Sequence, residues 1–193
     1  MFLNKDSNTY YNFWLDFDEQ LVIEPNFDKN KLNKDLYMFN TYIKQMKYTR
    51  NEMVRLDKGF RFYGPIHEYI IPPENVKTTS AVLDGLHVNV SMDGASWKEN
   101  VANKYISHSH VLEKYIADSR KDPRWIFYTA QSYHDSATMK DNKEENEERL
   151  RRSMKYYKER VDRTDGYAEE RFYSQYRIGT IMKTLEMPWN LTL

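Results

Sequence analysis

The sequence predicts an α/β segment with a mixed, hairpin-rich sheet, followed by an all-α array of antiparallel helices. Two observations carry this prediction. Up to about residue 95, short β-prone runs alternate with turn residues, and after it the apolar residues recur with the period of an amphipathic helix. We therefore expect two domains, 1–95 and 96–193, each long enough to form a small core.

The strands of the first segment are predicted from runs rich in aromatic and β-branched residues. Lys58-Gly59 in LDKGFRF can supply the positive φ of a tight turn, which favours a hairpin there. Pro72 and Pro73 indicate a loop, because proline lacks a backbone donor and restricts the residue before it. The predicted strand runs are YYNFWLDF, DLYMFNTYI, KYTRNEMVRL, FRFYG, HEYII and LHVNVSM.

Four helices are predicted in the second segment. Asp122 and Pro123 provide the N-cap and first turn of the second helix. The third, KEENEERLRRSMKYYKERVDR, has its acids early and its bases late, as the helix dipole prefers. The fourth, GYAEERFYSQYRIGTIMKTLE, ends before Pro188. The first helix carries an apolar stripe of Val101, Tyr105, His108, Leu112, Tyr115 and Ile116.

Composition narrows the functional class. Lys+Arg and Asp+Glu are equal at 29 each, so there is no overall basic field for nucleic acid, and glutamates interrupt the basic-aromatic run RLRRSMKYYKER. The absence of cysteine excludes disulfides, thiolate metal sites and a cysteine nucleophile. No run approaches the ~20 apolar residues of a membrane span, and MFLNKDSNTYY lacks the apolar core of a signal peptide. We expect a cytoplasmic protein.

Two groups of residues could carry chemistry. Asp16 and Asp18, in NFWLDFDEQL, lie on one side of the chain if the segment is extended, and such carboxylates suit Mg²⁺ or Mn²⁺. The alternative is a simple turn, which Asp also favours. His67 and Glu68, in FRFYGPIHEYI, are a possible metal ligand or proton carrier and a possible general base. Their alternative is a buried neutral histidine beside a glutamate in a surface ion pair.

Five motifs together resemble a known family. They span residues 10 to about 182 and are similar to family 2 glycosyltransferases in which a GT-A catalytic domain precedes tetratricopeptide-like helices. In such helices a small residue, here Ala130 or Gly179, accepts a bulky neighbour. In order, the motifs are NFWLDFDEQL, YGPIHEYI, DGASWKENVANKYISHSHVLEK, PRWIFYTAQSYHDS and YYKERVDRTDGYAEERFYSQYRIG.

The resemblance implies that residues 1–95 are the metal- and acceptor-binding half of a GT-A-like domain, and that 96–193 are a tetratricopeptide-like domain. The nucleotide-binding βαβ half of the family has no counterpart before NFWLDFDEQL, so a second chain that supplies it is an expected partner. The alternative is a non-catalytic helical-repeat interaction module derived from a glycosyltransferase.

The resemblance also implies residue roles. The donor would be a nucleotide sugar, and we expect a UDP-sugar. The acceptor would be a sugar or a protein. A divalent cation, Mn²⁺ or Mg²⁺, would bind Asp18, with Asp16 nearer the ribose or the water shell of the cation. Glu68 would be the base of an inverting transfer, and His67 a third ligand or an orienting residue.

Overall fold

The structure, a computed structural model, describes residues 2–4, 9–91, 101–118, 122–137 and 142–188. The chain divides into two compact units, Met1–Trp97 and Lys98–Leu193. In the described residues, the first unit is built mainly from a mixed β-sheet, and the second consists of α-helices. The predicted order, a sheet followed by a helical region, is confirmed. The helices within the described ranges include no candidate for a membrane span.

The strands described in the first unit are β1 (Phe2–Asn4), β2 (Thr9–Phe13), β3 (Glu19–Ile23), β4 (Leu36–Ile43), β5 (Met46–Arg55), β6 (Arg61–Tyr63), β7 (Tyr69–Ile71) and β8 (Ser80–Val90). The main sheet has the order β1-β2-β5-β4-β8-β3. Its neighbouring strands are antiparallel except for β4 and β8, which are parallel. A separate antiparallel pair joins β6 to β7.

The short connection between β2 and β3 requires the main sheet to curl. Three strands separate β2 from β3 in the sheet, which would place them about 19 Å apart if the sheet were flat. The chain from Phe13 to Glu19 spans at most about 20 Å when fully extended. It is not extended, because the Glu19 amide donates to the Asp16 carbonyl at 3.0 Å and closes a turn. Strands β2 and β3 must therefore approach each other.

The two faces of the sheet carry separate apolar clusters. Met53 and Val54 are successive residues of β5 and belong to different clusters, as strand alternation requires. Ile70 of β7 joins Leu36 and Val54 in the smaller one, which attaches the β6–β7 pair to the sheet. The larger cluster, the sheet core, contains buried Tyr11, Leu32, Tyr37, Phe39, Met53, Leu83, Leu86 and Val88.

The hairpin predicted at Lys58-Gly59 is wrong. Gly59 does adopt a positive φ of 68°, but Leu56–Lys58 form a short 3-10 turn and β6 pairs with β7 instead of β5. The reason is that both sides of β5 are already paired, with β2 and with β4. The predicted runs otherwise overlap β2 and β4 to β8. The sequence does not predict β1, β3 or the first half of β8.

The helices described in the second unit are α1 (Val101–Asp118), α2 (Pro123–Ala137), α3 (Lys143–Asp162) and α4 (Ala168–Thr184). Their predicted positions are confirmed. The predicted cap of α2 is present, since the Asp122 carboxylate accepts from the Arg124 amide at 2.9 Å. Leu112 and Ile116, from the predicted stripe of α1, are buried.

Consecutive helices pack against each other along the chain. Small residues let α2 and α3 approach closely, and the buried Ser153 hydroxyl donates to the Ala130 carbonyl at 2.8 Å. Alternate helices also touch. Tyr156 of α3 donates to Glu113 of α1 at 2.9 Å, and the rings of Phe127 and Tyr173 join α2 to α4. The helical core contains buried Phe127, Ala130, Ala137, Leu150, Tyr157, Ile178, Ile181 and Met182.

A fully buried arginine holds the connection between α3 and α4. Arg160 donates to the Tyr167 carbonyl at 2.8 Å and to the Arg163 carbonyl at 3.1 Å, and it pairs with Glu170 at 3.3 Å. Glu170 also pairs with Arg124 of α2 at 3.4 Å. The guanidinium therefore donates to backbone carbonyls of the connection, and the carboxylate of Glu170 in α4 balances its charge.

We expect Gly166→Ala to lower the free energy of unfolding by about 1–3 kcal/mol. Gly166 has a φ of 77°, and an added Cβ would lie 2.7 Å from Pro123 Cγ and 3.1 Å from Arg160 Nη2. Urea denaturation would measure the change. Gly179→Ala is the matched control, since this residue lies inside α4, where alanine is favoured over glycine. Equal stability of Gly166→Ala and the natural chain would contradict the strain at this turn.

Candidate functional site

The predicted acidic pair lies in a tight turn between β2 and β3. Phe17 and Asp18 occupy the corner, and the Glu19 amide closes the turn on the Asp16 carbonyl. In return, the Asp16 amide donates to Glu19 Oε2 at 3.0 Å. Asp16 is exposed and Asp18 is half-buried. The two carboxylates thus belong to a turn and not to an extended strand end, so strand alternation does not decide whether they share a side.

Ser91, just beyond the end of β8, holds the other side of this turn. Its amide and its hydroxyl donate to the Asp18 carbonyl at 2.8 and 3.2 Å. Because Glu19 is paired with Val90 in the β3–β8 ladder, these bonds extend the ladder into the turn. The Asp16 amide, the Asp16 carbonyl and the Asp18 carbonyl are all engaged. The backbone of the turn is fixed while the Asp16 side chain remains in solvent.

His67 and Glu68 lie in the loop that joins β6 to β7. Both are exposed, and His67 has a positive φ of 55°. Neither belongs to a regular strand, so alternation does not force the two side chains onto opposite faces. Phe62 of β6 contacts Trp14, two residues before Asp16, edge-on with 5.1 Å between ring centroids. This contact joins the β6–β7 pair to the segment that leads into the acidic turn.

A divalent cation is the group that the acidic turn could hold. Hard cations prefer carboxylate oxygens, and Mg²⁺ commonly uses one or two carboxylates together with substrate phosphates and water. The described residues contain no group of three or more His, Cys, Asp or Glu side chains that could hold a metal ion. Asp16 and Asp18 fit the smaller ligand set, in which substrate and water complete the shell. A ligand role for His67 stays a prediction.

Three charged residues beside this turn form an ion cluster that the sequence does not reveal. Arg50 Nη2 pairs with Glu19 Oε1 at 2.6 Å, and Arg50 Nε donates to Glu52 Oε1. The Glu19 and Glu52 side chains are 3% and 0% exposed. Glu19 therefore has one oxygen on the arginine and the other on the Asp16 amide. The cluster connects the sheet interior to the acidic turn.

A β-bulge explains why Glu52 points into the sheet core. The register between β4 and β5 shifts by one residue at this point. Tyr37 lies opposite Met53, but the next residue, Met38, lies opposite Asn51, so Glu52 has no residue opposite it. An extra residue of this kind redirects its side chain. In a strand without a bulge, the side chains of Glu52 and the core residue Met53 would point to opposite faces of the sheet. The only sequence signal is an acidic residue inside the run RNEMV, which also fits an exposed position.

Burial is the main cause of an altered acidity at Glu52. Burial raises the pKa of this carboxyl to about 7. The positive charge of Arg50 lowers the pKa, whereas the negative charges of Glu19 and Asp16 raise it. Glu52 Oε2 has no hydrogen-bond partner within the part of the chain that the structure describes. An unpaired buried oxygen favours the neutral acid. Glu52 thus titrates near neutral pH.

No protein-family model matches the chain, and no curated protein matches it. The resemblance to family 2 glycosyltransferases therefore stays a prediction from the five sequence motifs. Of these, DGASWKENVANKYISHSHVLEK falls partly outside the described residues.

We expect Glu52→Gln to reduce the pH dependence of stability. The folded pKa of Glu52 is above its ordinary value, so its contribution is complete below about pH 4.5 and is lost as the pH rises through about 7. The free energy of unfolding of the natural chain, taken relative to Glu52→Gln, should fall by about 2–3 kcal/mol between pH 5 and pH 8. Urea denaturation at several pH values measures it. Parallel pH profiles for the two proteins would contradict the raised pKa.

Proposed function

We propose that this chain is a metal-dependent inverting glycosyltransferase, or the acceptor-side part of one, that uses a nucleotide-sugar donor. The observation that carries the proposal is the exposed Asp16–Asp18 turn, whose backbone is fixed by Glu19 and Ser91. An exposed acidic turn with an ordered backbone is what a shared metal–diphosphate site needs, because the substrate must reach the cation. The ordered motifs support the proposed family, and the fixed turn supports a metal site at the two aspartates.

The mechanism assigns one task to each residue. Asp18 would hold the cation, and Asp16 would lie nearer its water shell or the ribose of the donor. A cation bound there would supply Lewis-acid chemistry, because it would offset the charge that develops on a departing nucleoside diphosphate. Glu68 accepts the proton of the acceptor hydroxyl while its oxygen attacks the anomeric carbon. The bond from that carbon to the diphosphate oxygen breaks with its electron pair, so the configuration inverts. His67 orients Glu68 or adds a ligand.

The helical unit supports the family assignment in its packing pattern. Each helix contacts the next, and alternate helices touch through Tyr156–Glu113 and Phe127–Tyr173. Tetratricopeptide-type repeats stack helix pairs in this way. We therefore propose that the second unit is a tetratricopeptide-like domain and the first a GT-A-like metal- and acceptor-binding half. A UDP-sugar, a sugar or protein acceptor, and a chain supplying the nucleotide-binding half are the partners this proposal implies.

One observation favours the alternative function, a non-catalytic interaction module. A groove of about 440 Å³ in the helical unit is lined by charged and aromatic side chains of three helices. Such a groove could receive a peptide of mixed charge without any transferase chemistry. Its lining residues are Ile106, His110, Tyr133, Glu145, Glu148, Arg149 and Arg152.

The first test of the transferase is metal-dependent nucleotide binding. We expect the chain to bind UDP in the presence of Mn²⁺ with a millimolar dissociation constant, about 4 kcal/mol weaker than a micromolar site. Asp18→Ala should abolish this binding, which calorimetric titration measures. Asp84→Ala, at an exposed aspartate of β8 outside the acidic turn, is the matched control and should leave it unchanged. Absence of Mn²⁺-dependent UDP binding by the natural chain would contradict the proposal and favour the interaction module.

The second test concerns the base. In the enzyme reconstituted with a chain that supplies the nucleotide-binding half, and assayed by UDP release from a UDP-sugar and acceptor, Glu68→Gln should lower kcat by about 10²- to 10⁴-fold, because the amide cannot accept the proton. The affinity for Mn²⁺ and UDP should not change. Glu74→Gln, at an exposed glutamate in the turn after β7, is the control. Near-normal turnover of Glu68→Gln would remove this residue from the mechanism.

A further inference from the structure

The third acid of the LDFDEQ segment differs from the first two in that both of its oxygens are occupied. Glu19 Oε1 pairs with Arg50 at 2.6 Å, and Oε2 accepts from the Asp16 amide at 3.0 Å. Its side chain is only 3% exposed. A carboxylate with both oxygens engaged and almost no exposure is poorly suited to bind a cation. Its contacts instead connect the backbone of the acidic turn to Arg50.

Arg50 is itself held in place from the interior of the sheet. Its Nε donates to Glu52, which is fully buried at the β-bulge, while its Nη2 holds Glu19. The planar guanidinium fixes the directions of these donors relative to each other. Strands β5 and β3 are separated by β4 and β8 in the sheet, so the arginine also connects two strands that are not neighbours. The position of Glu19 therefore depends on the curl of the whole sheet.

We propose that Arg50 and Glu19 are positioning residues for the divalent cation, which they serve by holding the Asp16–Asp18 turn in one conformation before the cation arrives. This inference rests on the proposed metal site. Arg50 has a second effect, because it balances the charge of Glu19. The turn then offers a cation the two aspartates, without a third, competing carboxylate. Neither residue touches the cation or the substrate.

Arg50→Met tests the positioning role, and Arg55→Met is a matched control. Both arginines lie on β5 and pair with two carboxylates; Arg55 pairs with Asp35 at 3.4 Å and Asp57 at 2.7 Å, away from the acidic turn. Two quantities are measured on each variant: the Mn²⁺ dissociation constant in the presence of UDP, and the hydrogen-exchange rate of the Asp16 amide. Thermal denaturation of the same samples records how much stability each variant loses.

We expect Arg50→Met to weaken Mn²⁺ binding about 10-fold, the low end of the loss on removing a residue that orients a metal ligand, because Arg50 acts on the aspartates only through Glu19. The Asp16 amide should exchange at least about 10-fold faster, since its acceptor is no longer held. Arg55→Met should change neither quantity even if it lowers the melting temperature as much. Arg50→Lys should recover only part of the affinity, because lysine lacks the rigid fork of donors.

A second variant protects the test against misfolding. Arg50→Met leaves buried Glu52 without its partner, so the same substitution is also made in the Glu52→Gln background, where that charge is absent. Weaker Mn²⁺ binding there, relative to Glu52→Gln alone, supports the inference.

The possible failures are distinguishable. Unchanged Mn²⁺ affinity in folded Arg50→Met, or an equal loss in Arg55→Met, overturns the positioning role and leaves the proposed function standing. A natural chain that shows no Mn²⁺-dependent UDP binding overturns the proposed function, and the positioning of a cation fails with it.

Discussion

The first unit depends on the guanidinium of Arg50, which joins two buried carboxylates on strands that are not neighbours in the sheet. Glu19 and Glu52 would each be costly to bury alone, because a carboxylate loses its hydration in the interior. Removing one member of such a buried group typically costs about 3–5 kcal/mol. A flatter sheet would draw β3 away from β5 and break the Arg50–Glu19 contact. The contact between Arg50 and Glu19 therefore stabilises the curled form of the sheet over a flatter one.

Three features of the sheet are mutually dependent. The connection from Phe13 to Glu19 is too short for a flat sheet, the bulge puts Glu52 on the same face as Met53, and Arg50 reaches Glu19 only when the sheet is curled. Each of these constraints acts over a different range of the chain. All of them meet at the turn between β2 and β3, where exposed Asp16 and half-buried Asp18 have little burial energy of their own. One side of this turn is thus held by the buried Glu19 carboxylate, and the other by Ser91 at the surface.

The parts of this structure that the sequence predicts are those decided by local physics. Leu112 and Ile116 recur with the helical period, and Asp122 caps a helix that begins one residue later, so the helices could be located. Gly59 correctly indicated a turn. The pairing partner of the following strand, however, depends on whether an edge of β5 is left unpaired, and no local sequence signal carries that information. Glu52 shows the same limit for the site. Its burial results from a bulge, and a bulge is decided by the register of two strands.

Both units use a buried or half-buried arginine to hold a connection, but they use it differently. Arg160 directs two of its bonds to backbone carbonyls and balances its charge on Glu170, so it mainly fixes a conformation. Arg50 directs its bonds to two carboxylates, one of which has a pKa of about 7. The charge around Arg50 therefore changes with protonation, and any cation at the neighbouring aspartates acts on the same groups. A structural arginine becomes relevant to chemistry when its partners can themselves change charge, and in this chain that condition holds for Arg50.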